Sequence, residues 1–168
     1  FSVPLYQRLR SQTQMFSGLL ASGRTGRIDV TISDSVAEEA RGRLVSGNYF
    51  PMLGLHPAVG RLFTAADDLR PGAHPWAILS YGFWKAHFDG NPGVIGQTIR
   101  VNNYPLTIVG VAQPGFDGME PGLPALVYVP IAMSREVRPG FTNMFDRRQR
   151  WVNVYGRLKP GMTIEQAK

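Results

Sequence analysis

Residues 98–111 place the tightest constraint on what this chain can become. Thr98 to Asn102 and Tyr104 to Val111 alternate apolar with polar side chains, so that Ile99 and Val101 face Leu106 and Ile108 across an Asn102-Asn103 turn. A period of two puts one set of side chains on each face of a strand, and Asn tolerates the left-handed backbone that a two-residue hairpin turn requires. The pattern predicts a β-hairpin. A second is expected upstream, where Ile28, Val30 and Ile32 alternate through Arg27 to Ser33, Asp34-Ser35 makes a turn, and an extended run continues to Val45.

Short helices separate these runs. Ser2 caps a first helix with Pro4 in its opening turn, and Leu5, Leu9 and Phe16 supply a partial apolar stripe that ends before Gly18. Asn48 to Leu53 is a helical turn stopped by Gly54, after which Pro57, Gly60 and Asp67-Asp68 mark a loop-rich stretch. Ala77-Ile78-Leu79 is a short buried strand. Ser80 then caps a helix from Tyr81 to Phe88, stopped by Gly90-Asn91-Pro92-Gly93. Pro114 to Pro124 is a loop, Leu126 to Ile131 a strand, and Ser134 to Arg150 a polar connection whose Arg and Asn content argues for exposure. Trp151 to Leu158 alternates as a strand, and Thr163 with Gln166 forms a capping box that opens a helix running off the end of the chain. Hairpins mixed with helices, without regular strand–helix–strand alternation, indicate the α+β class.

The 168 residues are 43% hydrophobic and 18% charged, an ordinary globular composition able to bury a core. Without cysteine, disulfides and thiolate metal sites are excluded, while the compartment stays open. No apolar run reaches the roughly 18 residues needed to span a bilayer. The chain begins at Phe1 without Met and stops at Lys168 in an opening helix, as a piece of a longer protein would. The net charge of +6 raises nucleic acid as a partner, but the arginines are scattered from Arg8 to Arg157. Their one tight cluster, Arg147-Arg148-Gln149-Arg150, reads as a solvated loop without any nucleic-acid-binding motif beside it.

Reactive constellations are wanting. His56, His74 and His87 fit no zinc-ligand spacing, and His87 reads as a half-buried packing residue. Glu38 and Glu39 are adjacent on an extended run and therefore point to opposite faces, whereas Asp67-Asp68 reads as loop solvation or a helix cap. No nucleophile elbow or phosphate-binding loop occurs. The expectation is no catalytic, cofactor-binding or metal residue, and no cofactor.

A resemblance runs through the chain in order. It is carried by Val45-Ser46-Gly47-Asn48-Tyr49-Phe50, Gly60-Arg61-Leu62-Phe63-Thr64, Leu79-Ser80-Tyr81-Gly82-Phe83-Trp84, and Gly96-Gln97-Thr98-Ile99-Arg100-Val101-Asn102 leading into Thr107-Ile108-Val109-Gly110-Val111. It continues through Pro114-Gly115-Phe116, Val129-Pro130 and Val154-Tyr155-Gly156-Arg157-Leu158-Lys159-Pro160-Gly161. Together these resemble the MacB-like periplasmic core domain of ABC transporter permeases. Pro114-Gly115-Phe116-Asp117-Gly118 and the Arg-bearing loop before Trp151 look most like the acidobacterial type, encoded without a fused ATPase.

The resemblance implies two subdomains, a porter-like α/β sandwich and a smaller inserted α/β subdomain rich in hairpins, between the first and second membrane helices of a permease. With boundaries in the Pro/Gly-rich loops, residues 1–55 plus 146–168 make the porter-like part, incomplete at its C-terminus, and 56–145 the insert. It also implies an extracytoplasmic, non-catalytic role at the inner membrane that couples ATP-driven motion of membrane helices to export. The partners implied are an ABC ATPase subunit, a second permease copy and a periplasmic adaptor, with no nucleic acid. The alternative from another class is an extracytoplasmic ligand-binding or sensor module. On the residues alone, Gly47, Gly60, Gly82 and Gly110 are expected to permit turns and close packing, and Tyr49, Phe50, Phe83 and Trp84 to fill the core.

Overall fold

The computed structural model describes residues 1–12, 14–33 and 35–167. It contains the expected mixture of helices and strands. The hairpin of β5 (Thr98–Val101) and β6 (Tyr104–Ala112) turns through Asn102 and Asn103, both at positive φ (48° and 69°). The upstream hairpin joins β1 (Phe16–Ile32) to β2 (Glu38–Val45), and of its expected turn Asp34 lies outside the described residues.

The remaining strands are β3 (Pro57–Gly60), β4 (Trp76–Leu79), β7 (Val127–Pro130) and β8 (Val152–Leu158). One edge of β1 pairs with β2 from Ser22, opposite Val45, to Val30, opposite Glu38. Its other edge pairs first with β8 and then, at Val30 to Ile32, with β5. Since β2 also pairs with β7, β7 with β4, β4 with β6 and β6 with β5, these strands close into a ring through β1. Closure removes free edges from the strands in the ring.

Alternate residues point inward. Ile28, Val30, Leu44, Leu79, Ile99 and Ile108 belong to one buried cluster, joined by Val3 and Tyr6 of α1 (Val3–Gln12) and Phe83 and Trp84 of α3 (Tyr81–Phe88). Burying an aliphatic or aromatic side chain of this size contributes roughly 1.5–3 kcal/mol. A second cluster lies on the outward-pointing residues, where Tyr49 and Phe50 of α2 (Tyr49–Leu53) pack against Tyr128 and Phe63. Phe50 meets Tyr128 edge to face at 5.3 Å between ring centroids. The boundaries expected near 55 and 146 do not interrupt this arrangement: β1 and β2 precede the first, and both pair with strands of 56–145.

Four local expectations are corrected. α1 ends at Gln12, and the run from Phe16 is strand, so β1 starts eleven residues before the alternation that begins at Arg27. Leu19 to Gly23 are buried consecutively because β8 lies along one edge, β2 and the Ser46–Asn48 loop lie along the other, and both faces are packed, so no exposed polar residue marks the period. Pro57 to Gly60 pairs with β6 as β3 although its sequence reads as a loop. The connection from Ser134 is not simply exposed, since Ser134, Val137 and Met144 are fully buried and Ser134–Val137 forms α4. At the C-terminal end the capping box is present, with the Thr163 N–H donating to Gln166 Oε1 at 2.9 Å, but it opens a 3₁₀ turn over Glu165–Ala167, with Lys168 outside the described residues.

Candidate functional site

Ser46, Gly47 and Asn48 follow β2 and tie three elements together. Ser46 Oγ accepts from the Ala21 N–H of β1 at 2.9 Å and donates to Asn48 Oδ1 at 2.8 Å. Asn48 Nδ2 donates to the Leu19 carbonyl at 2.8 Å, and the Tyr6 hydroxyl of α1 reaches Asn48 Oδ1 at 3.3 Å. A buried polar group is tolerated when its hydrogen bonds are made, and here they are made between β1, β2 and α1. Nothing in this network is arranged as a nucleophile with a base.

The two aspartates differ in role. Asp67 completes a capping box with Thr64 at a 3₁₀ turn and forms a bidentate pair with Arg61, at 2.7 and 3.0 Å. Burial alone would raise its pKa, but the Arg61 guanidinium and the Thr64 N–H and hydroxyl hold it below the usual carboxylate range. Among the described residues Asp68 has no such partner. Its oxygens accept from the Gly47 N–H at 3.2 Å and the Ala132 N–H at 2.7 Å, and burial pushes its pKa up to about 6. The pair is thus more than loop solvation: Asp67 caps a turn, and Asp68 pins the Ser46-Gly47-Asn48 loop to the segment after β7.

His56, His74 and His87 lie apart, and among the described residues no cluster of three or more His, Cys, Asp and Glu side chains could hold a metal. His87 packs on Phe83, with ring centroids 4.2 Å apart, and its Nε2 lies 3.6 Å from Glu38 Oε2. Glu39 instead pairs with Arg27 at 3.0 Å, so the two glutamates do point to opposite faces of β2.

That outward face carries arginines. Antiparallel register sets Arg24 opposite Arg43 and Arg27 opposite Arg41, two like-charged pairs in neighbouring positions of β1 and β2. Glu120, from the loop before β7, bridges the first pair, lying 3.0 Å from Arg24 and 2.9 Å from the nearly buried Arg43. Burial pushes the Glu120 carboxyl up, and the charges of Arg43 and Arg24 more than reverse this, holding it below the usual range. Around these arginines run two adjoining clefts, of about 180 Å³ against Leu123 and about 260 Å³ against Pro124 and Leu126, which share Arg27 and Arg41. The sequence reading missed this constellation. Its signal was the spacing Arg41-x-Arg43 in an extended run, which puts both side chains on one face, but the β1 partners were hidden by the bulge between Arg24 and Arg27.

A family model described as the MacB-like periplasmic core domain matches residues 2–168. The chain belongs to this family. Among solved structures, the periplasmic region of MacB from Actinobacillus actinomycetemcomitans superposes with a TM-score of 0.76 at 17% identity, covering 99% of this chain and 69% of that one. The extracellular domain of the noncanonic ABC-type transporter YknZ from Gram-positive bacteria gives 0.64 at 18% identity, over 81% of this chain and 65% of that one. A domain described as part of a permease protein from Porphyromonas gingivalis gives 0.69 at 16% identity, over 98% and 70%. This chain therefore spans about two thirds of the length of each of these, and the likeness is one of fold. No curated protein matches the sequence.

In this MacB-like core domain the residues that carry the resemblance are turn and packing devices. Gly110 of β6 is required by contact, since a Cβ there would lie 1.8 Å from the Arg61 carbonyl oxygen. Gly60 has φ +69° and sits against the Val109 carbonyl, so it is constrained twice. Gly82 differs from expectation: nothing lies within 4 Å of its would-be Cβ. Among the described residues no helix is long and apolar enough to cross a membrane.

Proposed function

We propose that this core domain is the extracytoplasmic part of an ABC-type permease of the inner membrane and couples ATP-driven motion of the membrane helices to export outside the membrane. The observation that carries the reading is the family match across residues 2–168, supported by superposition of 99% of the chain on the periplasmic region of MacB. The partners follow from the reading: an ABC ATPase subunit acting through the rest of the permease, a second permease copy facing this one, and a periplasmic adaptor. The domain itself would be non-catalytic, as the family match and the described side chains, which form hydrogen-bond networks and ion pairs, support.

The test uses the whole permease with its ATPase in lipid nanodiscs. A cysteine introduced as Val36→Cys, at a side chain 88% exposed, accepts a spin label in a domain that has no cysteine of its own. Coupled motion between two copies predicts a label-to-label distance that changes between the ATP-bound and nucleotide-free states. A distance distribution identical in both states, or no second label within reach, would sink the proposal.

A further inference from the structure

Like charges placed directly opposite each other on neighbouring strands are unfavourable, and a sequence that keeps two such pairs side by side breaks a local rule without visible gain. In the first pair, Arg24 and Arg43, the rule is repaired by Glu120, whose carboxylate bridges both guanidinium groups. In the second pair, Arg27 and Arg41, it is not. Glu39 reaches only Arg27, and among the described residues Arg41 has no ion pair and no side-chain hydrogen bond. Four arginines on this face are met by two glutamates, which leaves two positive charges. Beside Arg27 and Arg41 lie the two clefts, walled by Leu123 in one and by Pro124 and Leu126 in the other.

We propose that this groove binds an amphipathic carboxylate, its anionic head seated between Arg27 and Arg41 as Glu120 sits between Arg24 and Arg43, and its apolar body against Leu123 and Leu126. A carboxylate matches because each of its two oxygens can accept from a different guanidinium, as Glu120 Oε2 accepts from Arg24 and Oε1 from Arg43 on this face. The size of each cleft, about 180 and 260 Å³, suits a head group and a short chain and is below the range of drug-sized pockets. The site does not depend on the permease role, so its failure would leave that reading standing.

Octanoate is the probe, with acetate as the head alone and octyltrimethylammonium as the same chain with the opposite charge. Binding to the 168-residue domain is followed by amide shifts and by the thermal midpoint. The proposal expects octanoate to shift the amides of Gly26 and Gly42, to raise the midpoint, and to bind about tenfold or more tightly than acetate. Arg41→Gln should fold with an unchanged or higher midpoint, because it removes the repulsion with Arg27, yet bind octanoate about tenfold or more weakly, the usual worth of a charge-assisted hydrogen bond. Arg147→Gln, in the distant arginine loop, should bind as the parent does. Equal affinity of Arg41→Gln for octanoate, equal binding of the ammonium, or shifts confined to residues away from β1 and β2 would each overturn the site.

Discussion

The Asp68 carboxyl is held by two backbone N–H groups, those of Gly47 and Ala132, and among the described residues it forms no ion pair. The charges that reach it are Arg10, which lowers its pKa, and Asp67, which raises it, while burial outweighs both and sets it at about 6. A carboxyl whose folded pKa lies above its unfolded one stabilises the fold fully below the unfolded value and loses that contribution as pH rises through the folded value. Stability from Asp68 should therefore increase on acidification from about pH 7 to about pH 4, on the order of 1–3 kcal/mol. Asp67 and Glu120, both held below the usual range, act with the opposite sign and weaken the fold only as pH falls further. The measurement is the difference in unfolding free energy between the parent and Asp68→Asn across pH 4 to 7.5, which cancels the histidines common to both. The amide offers one acceptor oxygen where the carboxylate offers two, so a constant offset is expected. The diagnostic is the slope, and a difference that does not change with pH would refute the assignment.

At the scale of elements, α3 shows how a short helix is fixed to a sheet. Ser80 caps it by accepting the Phe83 N–H at 3.2 Å, and Asp89 ends it in a left-handed conformation at φ 53°. Trp84 is 7% exposed, stacks edge-on against Tyr81 at 5.4 Å, and donates from Nε1 to the Asn91 carbonyl at 2.9 Å. Replacing Trp84 with Ala should lower folding stability by about 3–5 kcal/mol in urea titrations, and Trp84→Phe by less. A loss under about 1 kcal/mol would contradict the packing role. This helix, the β5–β6 hairpin and the Gly54 stop of α2 were legible in the sequence because each rests on local chemistry: a cap, an Asn-Asn turn, a left-handed glycine at φ 70°. The first half of β1 was not, because its burial comes from β8, about 130 residues or more away in the chain, and its small residues hold room for other side chains: a Cβ on Gly23 would lie 2.3 Å from the Trp151 ring. The arginine face stayed hidden for the same reason. Its meaning lies in which arginine stands opposite which, and register is not a local property.

Over the whole molecule, the ring of β1, β2, β7, β4, β6 and β5 decides how the chain should unfold. Its inward residues form one cluster drawn from both sides of the expected boundaries, with Ile28 and Leu44 beside Leu79, Ile99 and Ile108. A strand in such a ring cannot leave without exposing the side chains and backbone groups of its neighbours, which favours an all-or-none transition. Subdomains at 1–55 plus 146–168 and at 56–145 with independent stability would instead unfold in two steps. The three tryptophans separate these outcomes, since Trp76 and Trp84 lie in the second stretch and Trp151 in the first. One variant keeps only Trp76 (Trp84→Phe with Trp151→Phe) and another keeps only Trp151 (Trp76→Phe with Trp84→Phe). In each, urea unfolding is followed by fluorescence and by far-ultraviolet circular dichroism. The closed ring predicts that the two signals coincide within each variant, whichever tryptophan reports. If Trp151 fluorescence changed in one transition and Trp76 fluorescence in another, with the dichroism following in two steps, the ring would not be the cooperative unit and the division at 55 and 146 would be.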